Sequence, residues 1–162
     1  MKKFIATLML AVIFMGAACP QTQAKKKESS NAAIALMEKY DREKGVVYIK
    51  ISGFLLGIAK MAARGEEDGE ILKHLDCMAV FSAENADAGI REQFFGELNG
   101  MMAGYEKAVE VNDSGEDMTV WFKYMDKDNI SEMIMSTESE GAVIVMCGRL
   151  PVSVLEEMAE TM

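Results

Sequence analysis

Hydrophobic and polar residues alternate most regularly over residues 118–150. Three runs follow one another there, at 118–125, 130–136 and 142–148, separated by Asp126-Lys127-Asp128-Asn129 and by Glu138-Ser139-Glu140-Gly141. A period of two interrupted by turn-forming residues predicts a β-meander. In the first run Val120, Phe122 and Tyr124 point one way, and Thr119, Trp121 and Lys123 point the other. In the last run Val143, Val145 and Cys147 oppose Ala142, Ile144 and Met146. A strand apolar on both faces belongs inside a sheet rather than at its edge. Residues 108–111 read as a brief strand that the acidic turn 112–117 folds into a hairpin with the first run.

Upstream the period changes. Ser30 or Asn31 can cap a helix whose face is Ala33, Leu36, Met37 and Tyr40, and Gly45 offers a left-handed stop. The β-branched run 46–52 is a strand. A second helix with Phe54, Leu55, Ile58, Met61 and Ala62 on its apolar face ends at Arg64-Gly65, and an acidic loop covers 66–70. Another strand spans 75–81. Asn85 caps a third helix with the stripe Ile90, Phe94, Leu98, Met101 and Met102, closed by Gly104. Pro151 suits the first turn of a last helix bearing Val154, Leu155 and Met158. Together these elements predict one α+β domain over 31–162: a mostly antiparallel sheet of five or six strands with helices packed largely on one face.

The N-terminus reads as an export signal. Met1-Lys2-Lys3 is basic, residues 4–15 are apolar, and Gly16-Ala17-Ala18-Cys19 is small. The apolar stretch is too short to span a bilayer. Two cleavage readings stand. In one, residues 1–18 are a lipoprotein signal and Cys19 is lipidated, although Gly16 stands where a leucine is usual. In the other, residues 1–24 are removed after Ala24. Residues 25–30, with three lysines, form a polar tether. Both readings predict a periplasmic or cell-envelope location.

Composition narrows the chemistry. The net charge is -9 and half the residues are apolar; loss of Lys2 and Lys3 would take the charge to about -11. So acidic a surface repels phosphate backbones, which argues against nucleic acid. The 15 methionines read as core filler, since most lie at buried-periodic positions rather than in exposed clusters. Cys77 and Cys147 lie in separate strands. They pair only if those strands are neighbours; free thiols on non-adjacent strands are the expectation. His74 is the one histidine. A strand would set it opposite Cys77, so it reads as an exposed residue at the strand's start. The chain supplies no usual zinc set, nucleophile elbow or phosphate loop. Asp126-x-Asp128 begins like a calcium loop, but Ile130, Ser131 and Thr137 occupy its later ligand and glycine positions, so it reads as a turn. No metal and no cofactor are expected.

Val46-Val47-Tyr48-Ile49-Lys50-Ile51-Ser52, Ile130-Ser131-Glu132-Met133-Ile134-Met135 and Val143-Ile144-Val145-Met146-Cys147-Gly148-Arg149-Leu150 resemble the DUF4252 family of exported proteins of Bacteroides-type bacteria. The resemblance covers nearly the whole mature region and implies a small envelope domain, often lipid-anchored. It assigns no activity to any position. Without a nucleophile–base or metal set, the expected function is non-catalytic: an envelope module, not an enzyme, that meets a protein partner through a sheet face or loop edge. Thr119, Trp121 and Lys123 are the candidate exposed face, and membrane contact runs only through an anchor at Cys19. One alternative is a carboxylate enzyme built on Glu132 and Asp128 with Arg149. Another is an accessory protein of envelope stress signalling.

Overall fold

Six strands form one open antiparallel sheet in the computed structural model, which describes residues 31–53, 55–58, 69–113 and 116–155. The elements are α1 (Ala32–Tyr40), β1 (Val47–Ser52), α2 (Gly69–His74), β2 (Leu75–Ser82), α3 (Ala88–Met101), a 3-10 turn (Met102–Gly104), β3 (Glu106–Asp113), β4 (Glu116–Tyr124), β5 (Asn129–Thr137) and β6 (Ala142–Pro151). Helical turns also cover 55–58 and 152–155. The strand order is β1-β2-β6-β5-β4-β3. After β2 the chain therefore runs through α3 to the far edge of the sheet. It then returns as the meander β3–β6, and its last strand docks beside β2.

The fold is α+β, and the doubly apolar strand is interior. Residues 142–145 of β6 are all buried. Val143 and Val145 join the core beneath α1 and α3, while Met146 packs into a second cluster on the opposite face. Asn31 caps α1 by accepting a hydrogen bond from the Ile34 N–H at 2.9 Å. Ala33, Ile34, Leu36, Met37 and Tyr40 are the buried face of that helix. Asp87, rather than Asn85, caps α3, accepting from the Gly89 N–H at 2.9 Å. Phe94, Phe95 and Leu98 carry the burial of α3.

Phe94 is the hub of the helix-covered face. It stacks on Phe81 of β2 with ring centroids 3.9 Å apart, and meets Tyr40 of α1 edge-on at 5.4 Å. One ring thus ties sheet, first helix and third helix together. At the rim, Glu97 of α3 accepts hydrogen bonds from Lys39 and Tyr40 of α1, each at 2.8 Å.

The opposite face holds a smaller cluster of Leu56, Ile71, Leu75, Val120, Ile130, Met133 and Leu150. Met118, Met135 and Met146 pack against it, as core-filling methionines do. On the second helix Leu56 is the buried residue, whereas Leu55 and Ile58 of the expected stripe are exposed. Phe54, Met61 and Ala62 lie outside the described residues, as do the signal segment with Cys19 and the tether. His74 is not at a strand's start: it ends α2 and is half-buried. Gly45 has φ 83°, and a Cβ there would lie 2.0 Å from the Asn85 carbonyl oxygen, so two loops touch through it.

Phe94 is fully buried. Phe94→Ala should lower unfolding free energy by about 3–5 kcal/mol in urea denaturation, with an unchanged slope.

Candidate functional site

The register places one polar row across the helix-covered face. Ser52 of β1 is opposite Cys77 of β2, and Cys77 is opposite Cys147 of β6. Cys147 is opposite Glu132 of β5, which is opposite Lys123 of β4. Five adjacent strands thus contribute one residue each. The two cysteines sit on neighbouring strands at directly paired positions, which corrects the expectation of non-adjacent strands. They are free thiols, both half-buried.

Backbone irregularity builds this row. Register slips fall at Leu75/Cys77, at Ile130/Glu132 and at Lys123/Tyr124. Leu75 and Cys77 are two residues apart, yet Leu75 joins the second cluster and Cys77 packs against the first. Ile130 joins the second cluster too, while Glu132 meets Tyr105, which packs against the first. Regular alternation would have kept each pair on one face. Gly148 makes the slip in β2 feasible: a Cβ there would lie 2.1 Å from the His74 carbonyl oxygen.

The row is enclosed by groups from five further positions. The Asn31 side chain works at both ends. Its Oδ1 caps α1, and its Nδ2 donates to the Cys147 Sγ at 3.2 Å. Tyr105 donates its hydroxyl to the Glu132 Oε1. Lys123 lies over the Tyr105 ring, 5.4 Å from its centroid. Lys50 of β1 pairs with Glu38 of α1 at 3.1 Å, and Tyr48 donates to the same carboxylate at 3.2 Å. Glu132 is only 6% exposed, so its hydrogen bond from Tyr105 is what makes the buried carboxylate tolerable. Among the described residues no buried side-chain nitrogen or oxygen lacks a partner.

The electrostatics separate the two thiols. A hydrogen bond from Cys147 lowers Cys77 from 9.0 to about 7; burial opposes this and the Lys50 cation assists it. Cys147 is pushed up, first by that same hydrogen bond and then by burial. The two thiols therefore ionise as a coupled pair, with the first proton leaving near neutral pH. Among the described residues, no three His, Cys, Asp or Glu residues group so as to hold a metal ion.

The other candidates do not converge. Thr119, Trp121 and Lys123 do share a face, but it is the helix-covered one. Trp121 is half-buried against the first core, with Lys107 above its ring at 5.2 Å, Thr119 is half-buried, and only Lys123 is exposed. Arg149 reaches out to Asp126 at 3.6 Å. Asp128 sits exposed in the turn, where its N–H donates to the Asp126 Oδ1 at 2.9 Å. Both are engaged with Asp126, whereas Glu132 is engaged with Tyr105. Alternation alone did not reveal Tyr105 or the link from Glu132 to the thiols; the one available signal was Gly148 inside an otherwise strand-like run.

An α+β domain with an open antiparallel sheet and a polar row centred on a buried carboxylate is the class that fold and site define. The family model "Domain of unknown function (DUF4252)" matches residues 40–158, and the chain belongs to that family. No curated protein and no solved structure matches it. Cys77, Tyr105, Glu132 and Cys147 fall inside the matched span.

Two results check this geometry. Gly148→Ala should destabilise by about 1–3 kcal/mol, because backbone must move to admit the methyl group. Gly96→Ala, on the exposed side of α3 with nothing within 4 Å of the added Cβ, should instead stabilise by up to about 1 kcal/mol. Urea midpoints of the two variants would move in opposite directions. The second check is alkaline. Burial, then Glu97, raises Tyr40 from 10.0 to about 12. Burial followed by a carboxylate partner also raises Tyr48 and Tyr105. A raised folded value contributes stability that is complete below the unfolded pKa and is lost as pH climbs through the folded one. Stability should hold up to a pH of about 10 and fall through about 12, with tyrosinate absorbance rising late.

Proposed function

We propose that this chain is an exported cell-envelope domain that binds a protein partner and does not catalyse a reaction. The observation that carries the reading is the β3–β4 end of the sheet. β3 is an edge strand, and residues 106–110 are exposed along it. Val109 is 43% exposed, and Tyr124 and Met125, at and just past the end of β4, are 44% and 56% exposed. Val109 pairs with Val120, whose face also carries Phe122 and Tyr124. An edge with unpaired backbone groups and apolar side chains alongside is a template for strand addition.

Export is supported by the basic start, the short apolar segment and the small residues before Lys25. Among the described residues no helix is long and apolar enough to cross a membrane. The dispersal of Glu132, Asp128 and Arg149 weighs against the carboxylate-enzyme reading, because general acid–base chemistry needs such groups within reach of one substrate.

The reading is tested in envelope fractions. Intact mass of the native protein should begin at an acylated Cys19 or at Lys25; an unprocessed Met1 refutes export. A photo-crosslinking side chain at Val109 should give one discrete adduct, which Tyr124→Lys abolishes while a probe at Glu92 gives none. Hydrolysis by the purified protein, lost on a single change at Glu132 and unaccompanied by any adduct, refutes the binding role.

A further inference from the structure

We infer that Cys77 and Cys147 form a redox-active pair, in which Cys77 attacks a disulfide-bearing donor and Cys147 resolves the product into a cross-strand disulfide. The inference is independent of how the β3 edge is used.

Geometry carries it. The two residues are directly paired on antiparallel neighbours. Such positions hold Cα atoms roughly 4.5–5.5 Å apart, within the roughly 4.4–6.8 Å window of disulfides. No strand has to slide for the bond to form. Both side chains pack against the same helix-covered core, so they lie on one face of the sheet. Both are half-buried rather than sealed in the core.

The surroundings assign different roles to the two thiols. Lys50 from β1 favours the thiolate at Cys77, whereas Asp76 on its own strand and Glu132 from β5 oppose it. Cys147 faces Glu132 across the β5–β6 pairing and accepts a hydrogen bond from Asn31 at the start of α1. The Tyr105 hydroxyl is occupied by Glu132 and adds no proton acceptor of its own. Cys77 titrates to about 7 and Cys147 is held up, so the first attack belongs to Cys77.

The step balances as thiol–disulfide exchange. The Cys77 thiolate attacks one sulfur of the donor disulfide, the donor S–S bond breaks, and one donor thiolate leaves. Cys147 then loses its proton and attacks the Cys77 sulfur of the mixed disulfide. The second donor thiolate leaves, and both released thiolates take up the protons the cysteines lost. The donor disulfide is reduced by two electrons and the protein dithiol is oxidised by two. The product would staple β2 to β6, the junction between the N-terminal strand pair and the meander.

The test uses the full chain carrying Cys19→Ser, so that two thiols remain, and glutathione disulfide as the probe. Native protein should lose two hydrogens in mass and two alkylatable thiols, and dithiothreitol should restore both. In the reduced protein at neutral pH, iodoacetamide should label Cys77 about tenfold faster than Cys147. Adding Cys147→Ser should trap one glutathione on Cys77, whereas adding Cys77→Ser should leave Cys147 largely unmodified. Thiols that stay reduced under excess glutathione disulfide, or that label only after denaturation, overturn the pair. Equal labelling rates, or trapping on Cys147 alone, overturn the role of Cys77.

Discussion

Everything in this domain hangs on the pairing of β6 with β2. β6 is apolar on both faces, so it must be covered above and below and flanked on both sides. The meander places β5 on one flank. The other flank is open until β2, made more than fifty residues earlier in the chain, closes it in the register Ser82–Ala142 through Cys77–Cys147. The long run of α3 across the sheet is what allows it. The helix takes the chain to the far edge, and its Phe94 is pinned to Phe81 of β2 on the way. Strand order and helix placement are thus one constraint seen from two sides.

That constraint divides the sheet into unlike faces. One carries α1 and α3 over aromatic and branched residues. The other carries a smaller layer rich in methionine, with Leu56, Ile71 and Leu150 among its buried members. Methionine fills irregular gaps that branched side chains leave. Toward β3 the cover thins, and Val109, Tyr124 and Met125 come to the surface.

The polar row lies where the first core ends. A carboxylate, two thiols and a lysine share one line because the backbone slips at neighbouring strands at the same level. Asn31 joins the row from above and gives its two polar ends to two tasks, capping a helix and holding a sulfur. Packing of this kind fixes the ionisation of Cys77 from several directions at once, through Cys147, Lys50 and Glu132.

Local pattern determined the elements. Alternation over 118–150 gave the meander, the helical stripes gave α1 and α3, and the doubly apolar run 142–148 gave the interior position of β6, because burial of a face is written directly into the period of its residues. The helix cap shifted from Asn85 to Asp87, since a cap is decided by which oxygen reaches the free N–H groups. Tertiary structure decided the site. Cys77 and Cys147 lie seventy positions apart, and only the docking of β6 on β2 makes them partners. Bulges then reversed the facing of residues that strict alternation would have paired with Leu75 and Ile130. Trp121 went under the helix layer for the same reason that the row exists: which face the helices cover is set by the whole sheet, and no single strand carries that information.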